Sequence, residues 1–226
     1  MKQKKNVKIT FAKDDVKTQV KRGKKNITKN ISINDFIDAF KGNIVLRTGI
    51  MSPGVKYYSK SGNKEIIVVE SPPKMRKLKN VRFKSSRVDV PTPPTLFFFI
   101  LVNGKLSSSR CYCIKTPMIS EDQPLYYFPL GNMSSTICWG GANRQMSQYK
   151  ITLSNVNGLV EAFYSSSFNT DLDSGRRLTK NGRIAVGGGA NSASLLRYLR
   201  GKKKFPMDFL LKAGESPKSI IKIYER

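Results

Sequence analysis

The chain has 226 residues, 39% of them hydrophobic, and carries 41 Lys/Arg against 15 Asp/Glu for a formal charge of +26. That apolar share is enough for a real core and excludes disorder throughout. The absence of histidine removes Ser-His-Asp and Cys-His hydrolase designs, HExxH metalloenzymes and histidine-ligated metals.

The first 30 residues alternate lysine with short apolar pieces, VKITF and VKTQVKRGKKNITKN, and predict a strand followed by a basic arm. MKQKKNVKITF has charge but no apolar stretch behind it, so it does not read as a secretory signal. The best apolar run, LFFFILV, is about a third of the roughly 20 residues that a membrane-spanning helix needs, and a cytoplasmic location is expected. In SINDFIDAFKGN, Ser32 precedes Ile33, Phe36, Ile37 and Phe40 at helical spacing; Asp35 completes a capping box and Gly42 ends the helix.

Val55 to Val69 predict two strands around the turn signal SGN, and SPPKMRKLKN predicts a proline-led basic connection. TLFFFILV, Asn103-Gly104 and KLSSSRCYCIK then form a hairpin with a type I′ turn. Its phenylalanine run is most economically a buried central strand, the alternative being a platform on which bases stack. NGLVEAFYSSSFN reads as a helix with Leu159, Val160 and Phe163 on one face. NSASLLRYLRG reads as another, with Leu195, Leu196 and Leu199 inward and Arg197 and Arg200 outward. The glycines of GRIAVGGGANSASLL lack the ending of a P-loop and the dinucleotide fingerprint, so they read as a flexible lead into that capped helix. Strands run together first and helices follow, which makes the class α+β with an antiparallel sheet.

The positive charge is unevenly placed. Residues 1–90 hold 23 Lys/Arg against 7 Asp/Glu, residues 91–149 hold 4 against 2, and residues 150–226 hold 14 against 6. The flanks therefore carry the field, and nucleic acid or a nucleoprotein complex would be drawn to them. The candidate phosphate contacts are Lys21, Arg22, Lys24, Lys25, Lys74, Arg76, Lys77, Arg197, Arg200, Lys202, Lys203 and Lys204. A solvated basic surface is the plainer alternative, and Lys202 to Lys204 also offset the dipole of the helix they follow.

Three cysteines do not make a disulfide framework, and Cys111 and Cys113, two apart on one strand, are too constrained to bridge comfortably. Zinc needs about four ligands, which this chain would have to complete with a carboxylate or a partner's residue, so no metal or cofactor is expected. Cys138, in FPLGNMSSTICWGG, is flanked by the small residues Ser134, Ser135, Gly140 and Gly141, which leave room for a partner's tail at the sulfur. Cys138 as a nucleophile on a shaped loop calls for an accessible thiolate. A free thiol titrating near ~8.5 is a few per cent ionised at neutral pH, so a histidine base helps but is not obligatory. Against this stands the reading of Cys138 as packing, cysteine being among the most often buried residue types. Trp139 reads as a core or loop anchor.

Taken in order, the pieces VPTPPTLFF with NGKL, PLYYFPLGNM followed by TICWG, EAFYSSSFN, and LLRYLRGKKKFPMDFL with AGES resemble the bacterial ubiquitin-conjugating-enzyme-like proteins of the PRTRC system protein B family, prokaryotic family D. The resemblance runs from about Ile33 to Gly214. It implies a ubiquitin-conjugating-enzyme-like fold, an antiparallel meander with helices packed on one side, preceded by an extra basic strand and helix region. The domains then run as a basic arm over 1–32, the conjugating-like domain over 33–214 (extension 33–90, core 91–214), and a tail over 215–226. It further implies that Cys138 carries a small ubiquitin-like protein as a thioester, that Asn132 is the candidate amide steadying the oxyanion, and that a ThiF-like adenylating enzyme loads the carrier. Two features depart from the family pattern: the Asn132 to Cys138 segment is short and lacks an Asp-Gly turn, and Phe128 or Leu130 stands near where eukaryotic members place a histidine. The alternative function is a non-catalytic basic module that uses the same fold to hold nucleic acid.

Overall fold

The computed structural model describes residues 7–11, 15–22, 25–32, 51–83, 87–133, 136–139, 150–169, 177–187, 189 and 191–225. The chain divides between Thr48 and Gly49 into two units. The N-terminal unit holds an antiparallel meander of β1 (Val7–Phe11), β2 (Asp15–Arg22) and β3 (Lys25–Ser32). Its register places Thr10 opposite Lys17 and Lys17 opposite Asn30, all exposed on one face, while Val16, opposite Ile31, is buried. The expected basic arm is thus two further strands whose period-2 alternation of lysine with apolar residues suits a one-sided sheet. Ser32 closes β3, and the helix expected to follow it lies outside the described residues.

The second unit is mixed α and β, with mostly antiparallel strands. Its main sheet contains β4 (Val55–Ser61), β5 (Lys64–Ser71), β8 (Thr95–Val102), β9 (Lys105–Cys113) and β10 (Tyr126–Tyr127), in the order β10-β9-β8-β5-β4. Between β5 and β8 the chain makes an inserted hairpin, β6 (Lys74–Asn80) and β7 (Arg87–Thr92). The helices are α1 (Asn157–Ser165), α2 (Lys180–Val186), α3 (Ser192–Leu199) and α4 (Pro217–Glu225), and β11 (Ser167–Phe168) joins β6 in parallel.

Side-chain alternation along the strands builds two cores. Ile67, Val69, Phe97, Phe99, Cys111 and Cys113 pack with α1 and α3, while Ile66, Val68, Leu96, Phe98 and Tyr112 pack with Ile220 and Ile221 of α4. Both faces of β8 are covered, which is why Thr95 through Leu101 are buried without a polar alternation. Its aromatics are core: Phe163 meets Phe97 edge-on at 5.4 Å between ring centroids, and no ring of the run is open for base stacking. The hairpin turn is as expected, Asn103 and Gly104 both having positive φ, 54° and 73°. Asn191 caps α3, its Oδ1 accepting from Ser194 N at 3.0 Å.

The structure corrects four expectations. Helices cover both sides of the sheet, because the presumed tail over 215–226 forms α4 and buries Ile220 and Ile221. β4 pairs with β5 and β5 pairs along its whole length with β8, so both strands belong to the main sheet, whereas the sequence set residues 33–90 apart as an extension. Lys74 to Asn80 of SPPKMRKLKN form the strand β6; two of its three buried positions, Arg76, Leu78 and Asn80, are polar, which erases the usual hydrophobic alternation. GRIAV, read as a flexible lead, forms most of α2, capped by the Thr179 hydroxyl.

Candidate functional site

Cys138 lies on the loop that leaves the main sheet after β10. Its neighbours Ile137 and Trp139 are buried while Cys138 itself is exposed and free. The alternation has clear causes. Ile137 N–H donates to Ser109 O at 2.9 Å and the Trp139 indole N–H donates to Ser109 Oγ at 2.9 Å, so the backbone of one neighbour and the side chain of the other are anchored on β9 and the residue between them is exposed. Cys138 N–H donates to Asn132 O at 2.9 Å, and Met133 bridges Ile137, which closes the loop on itself. Arg177 donates to the Met133 carbonyl.

Asn132, the expected oxyanion amide, is buried and hydrogen-bonded within the fold. It is 5% exposed, with a left-handed φ of 63° that asparagine tolerates better than most residues. Its amide donates to Ser166 Oγ at 3.2 Å and Ser167 O at 3.0 Å, and its Oδ1 accepts from Asn169 N at 3.2 Å. Both amide hydrogens are engaged, so Asn132 clamps the loop to the end of α1 and offers no free donor for an oxyanion. The clamp extends inward: Ser192 Oγ donates to Asn169 O at 3.0 Å and accepts from Asn80 Nδ2 at 3.3 Å. A side chain on Gly131 would run into the Asn169 carbonyl, so the loop fits only with hydrogen at that position. The partners of Asn132 lie some 35 residues downstream among unremarkable serines, and no local signal marks them.

The other thiols are sealed. Cys111 and Cys113 are fully buried, and burial pushes both well above the ordinary thiol range. Among the described residues no cluster of His, Cys, Asp or Glu is arranged to hold a metal ion.

The predicted basic residues separate into five groups. Arg76 is buried: its Nη1 donates to Glu161 Oε2 at 2.9 Å and Oε1 at 3.1 Å, and its Nη2 to Ser71 Oγ at 3.1 Å, which withdraws it from phosphate contact. Lys77 lines a shallow depression of about 220 Å³ with Arg87 and Glu161. Lys74, Lys203 and Lys204, far apart in sequence, meet around a groove of about 450 Å³. The fourth lysine of that groove, Lys115, stands alone in CIKTP without basic neighbours, so sequence reasoning passed over it. Arg197, Arg200 and Lys202 are exposed at the end of α3, Lys202 with its Nζ 4.4 Å from the Tyr198 ring centroid. Lys21 and Arg22 end β2 and Lys25 begins β3 in the N-terminal unit, with Arg22 opposite Lys25; Lys24 lies outside the described residues.

No helix of the described residues is long and apolar enough to cross a membrane. Comparison of the chain with protein-family models, with curated proteins and with solved structures gives no match in any of the three.

Proposed function

We propose that the protein is a thioester carrier in a bacterial ubiquitin-like conjugation cassette, with Cys138 as the carrying residue. The observation that supports this most is the presentation of the thiol: exposed, with its own N–H fixed to Asn132 and buried side chains holding both neighbours. A nucleophile on an anchored loop meets a partner's C-terminus without first ordering the loop, which removes an entropic cost from the encounter. The order of elements, an antiparallel meander, then the cysteine loop, then helices, accords with a ubiquitin-conjugating-like domain that has gained the β6–β7 insertion and α4.

In the proposed reaction the Cys138 thiolate attacks the thioester carbonyl joining a ubiquitin-like protein to its ThiF-like adenylating enzyme. The new C–S bond forms as the enzyme's thiolate leaves, and an acceptor amine later displaces Cys138 in the same way. Asn132 acts here as a positioning residue for the loop.

Mixing the protein with the adenylating enzyme, the ubiquitin-like protein and ATP tests this. The wild type forms an adduct cleaved by thiols, Cys138→Ser forms one that resists thiols, and Cys138→Ala forms none. An equal adduct yield from Cys138→Ala overturns the reading.

A further inference from the structure

Two segments of the sequence resemblance, VPTPPTLFF and LLRYLRGKKKFPMDFL, supply no residue of the Cys138 loop itself, yet they converge. Pro91, Pro93 and Pro94, at the junction of β7 and β8, share the 450 Å³ groove with Phe205 and Met207 from beyond α3 and with Met75 of β6. This floor is apolar and poor in hydrogen-bonding groups. Proline nitrogen carries no hydrogen, and the carbonyls of Lys74, Pro93 and Pro94 already accept from Thr92 Oγ1, Thr95 Oγ1 and Ile114 N.

The rim is the opposite. Lys74, Lys115, Lys203 and Lys204 surround the floor, and no carboxylate of the described residues lines it. None of the four belongs to an ion pair among the described residues. Like charges gathered around an apolar depression repel one another until an anion arrives.

The occupant must therefore bring several negative charges and an apolar body together. A polynucleotide supplies the charges, but single strands are held by stacking on open aromatic faces, and Phe205, the only aromatic among the described residues that line the groove, is 6% exposed. Base edges would also find few partners on a floor of proline and methionine. An acidic peptide meets both demands, with one aliphatic side chain on the floor and carboxylates at the lysines. Methionines at two positions let the floor adapt to the shape of that side chain. We propose that this groove docks an acidic segment of a partner protein through one apolar anchor residue. The inference stands independently of the chemistry at Cys138.

Fluorescence anisotropy with a labelled Asp/Glu-rich peptide carrying a central Leu, titrated with the full chain, tests it. Lys203→Glu with Lys204→Glu weakens binding by about tenfold or more. Replacing the peptide's Leu by Ser weakens it by about tenfold, the worth of one buried aliphatic side chain, and Met75→Asp does the same from the protein side. Lys8→Glu with Lys17→Glu, which makes the same charge change on the exposed face of the N-terminal sheet, leaves the affinity unchanged. The proposal is overturned if the two double variants weaken binding equally, or if the Leu→Ser peptide binds as well as the parent. It is also overturned if oligo-dT of equal charge is the tighter ligand and the one lost with Lys203 and Lys204, which would assign the groove to nucleic acid.

Discussion

The guanidinium carbon of Arg76 lies 3.8 Å from the centroid of the Tyr164 ring, joining β6 to α1 through a cation held against an aromatic face. The same cation is forked onto Glu161, whose side chain is 60% exposed, so the pair is buried on one side and wet on the other. Removing Arg76 empties a buried site and strips Glu161 of its partner, whereas removing Glu161 leaves Arg76 its Tyr164 face and Ser71. Arg76→Ala is expected to cost about 3 kcal/mol and Glu161→Ala about half of that, read as shifts in urea midpoints. Equal costs would mean that the ring carries none of the interaction.

Thiol accessibility gives a direct count. With a chromogenic disulfide reagent the folded protein is expected to yield one fast thiol, lost in Cys138→Ser, while Cys111 and Cys113 respond only in denaturant. Two fast thiols in the folded state would contradict the buried placement of β9.

Asn132 is expected to behave as a structural clamp. Asn132→Asp replaces the donating amide by an acceptor facing the Ser167 carbonyl, and a loss of about 1–3 kcal/mol follows from the unmet hydrogen bonds. Thermal melting would show the loss, accompanied by a change in the rate of Cys138 alkylation. Unchanged melting with slowed acyl transfer would instead point to an amide that acts on the oxyanion.

Alkaline pH is expected to weaken the fold. Burial is the leading cause that raises Cys111, Cys113 and Tyr164, so the folded chain keeps protons that the unfolded chain gives up from pH ~8.5 for thiols and ~10 for phenols. In that window the unfolded state binds fewer protons, and stability falls as pH rises by about 1.4 kcal/mol per pH unit for each such group. These groups contribute no slope at lower pH, where both states are protonated. Urea unfolding at a series of pH values measures the slope, which should flatten in Cys111→Ala with Cys113→Ala.

The sequence disclosed elements whose cause is local. Asn103-Gly104 encodes its own positive φ values, and the spacing of Leu195, Leu196 and Leu199 encodes the buried face of α3. It concealed elements whose cause is tertiary. Arg76 and Asn80 are buried because Glu161 and Ser192 come from helices far along the chain to meet them, and no period-2 pattern survives such positions. α4 is short and mostly exposed, its burial resting on Ile220 and Ile221, so it read as a tail. At the candidate site the sequence leaves Cys138 between an exposed thiol and core packing; its exposure depends on Ile137 and Trp139 being held by Ser109, and the engagement of Asn132 on Ser166 and Ser167, which nothing nearby foretells.

The chain contains a single tryptophan, and it stands immediately beside the exposed sulfur with its indole tethered to Ser109. Every photon of indole emission therefore originates one residue from the place where an adduct would attach. The loading and discharge proposed above should be readable in real time on the unlabelled protein as a change in emission intensity or wavelength, with Cys138→Ala as the silent control.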